Sequence, residues 1–164
     1  MGRDIHLHLV KFNRKENRYE EVKLYRKSKD GTYYVVDLFP GRDGELFDIL
    51  NGNEDDYFPC RPIHVENLPS SLAEEIKKDI NTFGYYDFKE ANLADIKIYL
   101  KEHPKVRDWD YECEGNQEKW EKKAWKENPV KSLVRRIDYF IDFFDEYNWE
   151  YSDSDVRLIY WFDC

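Results

Sequence analysis

A chain of 164 residues in which 17% are aromatic and 37% are charged is typical of one folded domain with a well-solvated surface, and it excludes a largely disordered protein. The net charge of −9 is concentrated in residues 138–164, where eight residues are acidic and only Arg157 is basic, which favours basic partners over direct nucleic-acid binding. No apolar run approaches the roughly 20 residues that a membrane helix requires, so no membrane association is expected.

The first forty residues predict a β meander. Ile5, Leu7 and Leu9 occupy alternate positions, which is the period of a half-buried strand. A second β pattern covers residues 19–25, and the Lys-Asp-Gly sequence at 29–31 predicts a hairpin turn because glycine accepts the positive φ that such a turn requires. A third strand is expected over the Tyr- and Val-rich residues that follow this turn, up to Leu38.

Helices are predicted in the middle of the chain. A short one covers residues 45–50. A second begins near Ser71, which can form a capping box with Glu74 three residues later. Asn92 can cap a third, whose apolar stripe ends before Pro104.

The rest of the chain contains one difficult segment and two clear elements. Residues 105–128 are aromatic and charged, with a short helix expected over 117–127, and this segment could form a semi-independent unit within the single domain 1–164. Apolar residues at helical spacing predict a long amphipathic helix over 130–144. Alternation returns over 156–162 and predicts a closing strand.

The order of these elements predicts an α+β fold with a mostly antiparallel sheet of about four strands and three to four helices packed on it. The first and last strands are the most apolar. Because interior strands are more apolar than edge strands, we expect these two to be adjacent in the centre of the sheet.

Three stretches together resemble one group of phage and prophage proteins. They are MGRDIH at the start, GRDGELFDIL at 41–50 and DVRLIYWFDC at 155–164. Members of that group begin Met-Gly-x-Asp-Ile-His, carry Gly-Arg-x-x-x-Leu-Phe-x-Ile-Leu and close on a strand like Val-Arg-x-x-x-Trp-Phe-Asp. The resemblance implies a phage or mobile-element origin but no particular reaction. One departure is the sequence GYYDF at 84–88, which stands where the group has a His-Ser-rich segment.

The cysteines and the missing motifs bear on location and chemistry. Cys60, Cys113 and Cys164 are odd in number and have no CxxC spacing, and no apolar leader is visible, so a reduced, cytoplasmic setting in the host cell is expected. Because the sequence has no Ser-His-Asp set, no catalytic Cys-His pair and no dinucleotide glycine motif, we expect no cofactor and favour a binding protein over an enzyme.

The Asp-x-His-x-His run in the first strand is a candidate metal site. Asp4, His6 and His8 would point to one face of the strand, with roughly 7 Å between successive positions. Two neighbouring histidines can share a metal, and His64 is the further ligand that the sequence offers besides Asp163.

The interpretation that we favour for the same run is a polar pocket without a metal. His6 would face a pocket shared with Arg42 and Asp163, and Asp4 would lie beside it. Arg42 lies in a Gly-flanked loop before a helix, and a guanidinium in that position suits phosphate or carboxylate. Its positive charge would also compete with a metal ion. For Arg42 itself, taken alone, we favour an ordinary turn in which it pairs with an acidic residue such as Asp4 or Asp163.

A partner surface is predicted on the long helix and the aromatic segment. Asp138, Asp142 and Asp145 have i, i+4, i+7 spacing on the side opposite the apolar stripe. They form either an ordinary solvated face or a surface that docks a basic partner. Trp109 and Trp120 lie among charged residues, where tryptophan serves either at an interface or as a cover over part of the core.

The function that we predict is that of a phage-type accessory protein acting by binding. It would inhibit a host defence component with a basic surface through the acidic residues, or sequester a small phosphorylated ligand near Arg42 and the histidines of the first strand. The alternative is a small metal-dependent hydrolase that uses the Asp-x-His-x-His strand. A role in virion assembly also stays open.

Overall fold

The computed structural model describes residues 4–36, 38, 44–51, 58–83, 88–107, 115–145 and 152–162. Within these residues the chain is α+β, as predicted. Its strands are β1 (Ile5–Asn13), β2 (Arg18–Val22), β3 (Tyr25–Lys27), β4 (Tyr33–Val35), β5 (Cys60–Pro62), β6 (Lys89–Asn92), β7 (Lys105–Arg107), β8 (Trp125–Glu127) and β9 (Val156–Phe162). Its helices are α1 (Gly44–Asn51), α2 (Ser70–Phe83), α3 (Leu93–Glu102), α4 (Gln117–Glu121) and α5 (Val130–Asp145).

The main sheet has five strands in the order β2-β1-β9-β6-β5, and every neighbouring pair is antiparallel. The predicted pairing of the first and last strands is confirmed. Ile5 lies opposite Phe162, and Leu9 lies opposite Leu158. Strand β9 is in the centre because it is apolar on both faces, and five of its seven residues are buried.

Helices cover both faces of this sheet. On one face, which we call the core face, Ile5, Leu7 and Leu9 pack in one cluster with buried residues of α1, α3 and α5. On the other face, which we call the α2 face, Val10 and Trp161 pack with buried residues of α2. Because successive strand residues point to opposite faces, the histidines of β1 lie on the α2 face.

The predicted hairpin turn at 29–31 is confirmed, with Gly31 at a φ of +89° between two paired strands, but the predicted meander is wrong in its strand bounds and in forming one continuous sheet. Strands β1 and β2 form a hairpin, but the strand expected over residues 19–25 ends at Val22. The chain leaves the sheet there because Leu24 is buried in the core cluster. Strands β3 and β4 then form a separate two-stranded ladder.

Two local predictions about helices had different outcomes. The cap of α3 is confirmed, because Asn92 Oδ1 accepts a hydrogen bond from the Ala94 N–H at 2.9 Å. The capping box is wrong: α2 already begins at Ser70, and the Ser71 hydroxyl donates to Glu21 Oε2 at 2.8 Å.

The aromatic segment contains less helix than expected. The helix predicted over 117–127 ends at Glu121, and Trp125–Glu127 forms strand β8, which pairs with β7. Among the described helices, none is both long enough and apolar enough to cross a membrane.

Candidate functional site

The α2 face carries an unusual number of ionisable side chains for a sheet surface under a helix. The register of the strands places them side by side, since residues that pair across strands share a face. They are His6 and His8 of β1, Glu21 of β2, Arg61 of β5, Glu90 of β6 and Arg157 of β9.

A buried carboxylate lies between two guanidinium groups on this face. Glu90 is 6% exposed, and its Oε1 accepts hydrogen bonds from Arg157 Nη1 at 2.6 Å and from Arg61 Nε. Glu90 lies directly opposite Arg61 and one diagonal step from Arg157, which is why three strands deliver these groups to one point. The Arg157 guanidinium also lies over the ring of Tyr19, 4.9 Å from its centroid. Two positive charges and one negative charge therefore meet here.

A cleft of about 340 Å³ opens beside these charges. Its polar lining comes from Arg61, Arg157, Glu90, His64 and Asn67, and Tyr19 forms part of its wall. The Pro62-Ile63 pair and the Leu68-Pro69 pair supply apolar wall on the side next to α2. The cleft thus combines a charged floor with partly apolar walls.

A second cluster surrounds His8, further along the same face. The His8 ring stacks on the Trp161 indole, with the ring centroids 5.1 Å apart and the planes 3° from parallel. Its Nδ1 lies 3.5 Å from Glu21 Oε1, and its Nε2 lies 3.8 Å from Glu75 Oε1. Glu75 comes from α2, so this cluster joins the helix to the β1–β2 hairpin.

The candidate residues of the Asp-x-His-x-His run are only partly described. His6 lies on the α2 face, as expected, and stacks on Trp161 with centroids 5.1 Å apart. Asp4 is described immediately before β1. Arg42 and Asp163 lie outside the described residues, so a pocket shared by His6, Arg42 and Asp163 stays a prediction.

The structure groups the candidate metal ligands differently from the sequence. His64 lines the cleft beside Arg61. In the part of the chain that the structure describes, the group of three ligand atoms close enough to share a metal consists of His8, Glu21 and Glu75. Of the metal ligands proposed from the sequence, that group contains only His8.

Of the five residues of the predicted partner surface, Asp138 has a described side chain. Asp138 Oδ1 accepts a hydrogen bond from Lys97 Nζ at 2.9 Å, and Lys97 also lies 3.0 Å from Asp153. Burial alone would lower the pKa of Lys97, but the bonds and charges of the two carboxylates outweigh it and raise the pKa. The remaining partner candidates have side chains or whole residues outside the described part of the chain: Asp142, Asp145, Trp109 and Trp120.

Sequence reasoning missed Arg61 and Glu90 as site residues, and likewise Arg157, Glu21 and Glu75. One signal was available for the first two. Arg157 is the only basic residue among the last 27, and it lies inside a strand that is apolar on both faces. A buried guanidinium requires a carboxylate partner, so a buried acid on a neighbouring strand could have been expected.

Comparison of the chain with protein-family models, with curated proteins and with solved structures gives no match.

Proposed function

We propose that the protein acts by binding, and that it holds a small phosphorylated ligand in the cleft between Arg61 and Arg157. The observation that carries this proposal is the shared carboxylate of Glu90, which accepts hydrogen bonds from both guanidiniums. A guanidinium has five N–H donors, and the bonds to Glu90 use one donor of each arginine. Donors are therefore left for a ligand.

The charges at this point favour an anion. Two guanidiniums against one carboxylate leave a net charge of one positive unit. Arg61 is 63% exposed, so its guanidinium is accessible to a ligand, whereas the side chain of Glu90, which also lines the cleft, is 8% exposed and is already bonded to both arginines. Arginine is well suited to phosphate because its planar fork can donate two parallel hydrogen bonds.

The walls of the cleft fit the remainder of a small ligand. Its volume of about 340 Å³ is at the lower end of the range for small-molecule sites, which is roughly 300 to 1,000 Å³. Tyr19 is held in place by the Arg157 guanidinium above its ring. The proline and isoleucine side chains opposite give the non-phosphate part of a ligand an apolar surface.

This proposal keeps the kind of ligand expected from the sequence for one of the two binding roles, but it puts that ligand between Arg61 and Arg157 instead of near Arg42 and the histidines of the first strand. A phage accessory protein could act by sequestering a phosphorylated metabolite or signal nucleotide of the host. Docking of a basic host protein on the acidic residues has weaker support, since the carboxylate of Asp138 is already paired with Lys97.

The test is calorimetric titration of the purified chain with inorganic phosphate, a panel of sugar phosphates and mono- and dinucleotides, and the matching unphosphorylated nucleosides. We expect at least one phosphorylated compound to bind and its unphosphorylated partner to bind at least tenfold more weakly. Arg61→Gln should weaken binding at least tenfold, because the charge-assisted bond to phosphate is lost.

The matched control is Arg18→Gln. Arg18 is similarly exposed, at 68%, and lies in the same sheet outside the cleft. The Arg18→Gln variant should bind the ligand with the same affinity as the unmodified chain. Binding of no phosphorylated compound at millimolar concentration, or equal losses in the Arg61 and Arg18 variants, would contradict the proposal.

A further inference from the structure

We propose that His8, Glu21 and Glu75 form a binding site for a divalent transition-metal ion, with Zn²⁺ as the best fit. The three side chains come from β1, β2 and α2, which are separate in sequence and adjacent in space. One ligand atom from each lies within 4.8 Å of the other two. The site does not depend on the ligand proposed for the arginine cleft.

Two of the three ligands are held in position. The His8 ring is fixed by its parallel stack on Trp161, which is itself 1% exposed. Glu21 is 13% exposed, and its Oε2 accepts the hydrogen bond from the Ser71 hydroxyl at 2.8 Å, which leaves Oε1 directed at His8. A hydrogen bond from a neighbouring residue to a ligating carboxylate is a common feature of metal sites, because it sets the orientation of the ligand.

The third ligand can move to complete the site. Ligand atoms around Zn²⁺ lie about 2.0 to 2.2 Å from the metal and therefore roughly 3.5 Å from one another. Glu75 is 51% exposed on the surface of α2, so a change of its side-chain rotamer can shorten the present separations. Glu21 lies nearest Nδ1 of His8 and Glu75 lies nearest Nε2, so the Glu75 carboxylate has to move towards the Nδ1 side of the ring for one ion to contact all three residues.

The two carboxylates of the cluster carry negative charge that a bound cation would balance. In the described part of the chain, no lysine or arginine pairs with Glu21 or Glu75. The two contacts to His8, at 3.5 and 3.8 Å, are longer than ordinary hydrogen bonds, so the imidazole does not satisfy either carboxylate well. A divalent ion would balance both negative charges while the imidazole stays neutral.

The donor set indicates the class of metal. One imidazole nitrogen suits zinc and its neighbours in the first transition row, and two carboxylates are compatible with zinc or manganese. Three protein ligands leave a coordination position open, which is the arrangement of sites that bind a further ligand or a water molecule. Glu75 and His8 are both accessible enough for an ion to enter from solvent.

The test uses the full chain after chelator treatment and removal of the chelator, titrated calorimetrically with ZnCl₂ and separately with MnCl₂ and MgCl₂. We expect one Zn²⁺ per chain, with Mg²⁺ at least a hundredfold weaker. Glu75→Gln should weaken Zn²⁺ binding at least tenfold. Because Glu75 is exposed, this variant should fold normally, which circular dichroism will check.

Glu74→Gln is the matched control, since Glu74 is the adjacent acid of the same helix, is 75% exposed and pairs with Lys77. It should leave Zn²⁺ binding unchanged. A second readout is the side-chain nitrogen NMR spectrum, in which Zn²⁺ should shift the ring nitrogens of His8 and leave those of His64 and His103 in place. Absence of stoichiometric binding, equal losses in the Glu74 and Glu75 variants, or shifts at His64 instead of His8 would overturn the proposal.

Discussion

Asn128 Nδ2 donates a hydrogen bond to the carbonyl oxygen of His103 at 2.9 Å and thereby ties the start of α5 to the end of α3. The same amide lies 3.1 Å from the Tyr99 hydroxyl, and its Oδ1 accepts the Val130 N–H at 3.0 Å. Asn128 is fully buried. One side chain therefore serves both as the cap of a helix and as a link between two helices.

Asn128→Ala should lower the free energy of unfolding by about 3 kcal/mol, because it removes a helix cap and leaves a buried carbonyl and hydroxyl without their donor. The control is Asn116→Ala, which removes an exposed cap of α4 in which Asn116 Oδ1 accepts the Lys119 N–H. That variant should lose about 1 kcal/mol or less. Urea unfolding measures both, and similar losses in the two variants would show that burial of Asn128 is not decisive.

Glu90→Gln should destabilise the fold by roughly 3 kcal/mol, because it removes the negative charge between Arg61 and Arg157 and leaves a partly buried guanidinium uncompensated. Glu118→Gln is the comparison. Glu118 pairs with Lys122 at an exposed i, i+4 position, and loss of such a pair costs about 0.5 kcal/mol. A Glu90 variant as stable as the Glu118 variant in chemical denaturation would argue against a structural role for the buried carboxylate.

The sequence predicted best those elements in which the buried residues recur at a regular spacing. Strands β1 and β9 have it, and so does α5, whose buried residues Val130, Leu133, Ile137 and Phe140 repeat at helical spacing. Strands β5 and β6 do not have it. Cys60–Pro62 and Lys89–Asn92 are three and four residues long, too short for a period, and their strand conformation depends on pairing with residues far away in sequence.

The same limit applies to the site. The contacts of Glu90 with Arg61 and Arg157 span 29 and 67 residues of sequence. No local spacing can encode them. His8 and Glu21, in contrast, lie on the two arms of one hairpin, so the hairpin register alone is enough to predict that their side chains are near each other.

Asp155 should contribute to the acid sensitivity of the fold. Burial alone would raise the pKa of its carboxyl, but the hydrogen bonds from Ser152 and the guanidinium of Arg14 outweigh it and lower the pKa below its ordinary value. A carboxyl with a lower pKa in the folded state adds stability above the pKa of the unfolded chain, and this stability is lost as the pH falls through the folded-state pKa.

Asp155→Asn should therefore lower the free energy of unfolding by about 1 kcal/mol at pH 7 and have little effect near pH 2. Urea midpoints at a series of pH values measure the difference. Glu16→Gln, at an exposed carboxylate in the turn beside Arg14, should change stability little at either pH. A pH-independent loss in the Asp155 variant would assign its effect to packing instead of charge.

Lys97→Met should destabilise the protein by about 1 kcal/mol, because Lys97 bridges Asp138 of α5 and Asp153 near the start of β9. Lys101→Met, one turn further along α3 at an exposed position, should have no measurable effect on thermal unfolding. Asp138→Asn should lower stability about as much as Lys97→Met does. Equal stability of the Lys97 and Lys101 variants would show that the bridge is not stabilising.

The acidic residues are best tested as a partner surface with Asp142→Asn and Asp145→Asn. These two changes leave the bridge between Lys97 and Asp138 intact, so a loss of partner binding would not reflect a loss of stability.

The position of β9 between β1 and β6 has a consequence for how the sheet assembles. Among the described strands, the β1–β2 hairpin and the β5–β6 pair have no ladder with each other, and β9 is the strand that pairs with both. During synthesis the two halves must wait until this strand has left the ribosome, with their apolar faces exposed in the meantime. Pairing Ile5 with Phe162 closes one of the longest loops that the described chain allows, and such non-local contacts slow folding. Until β9 is available, the strand edge and apolar residues of β1 that it covers lack their partner, and transiently exposed surface of this kind is prone to aggregation.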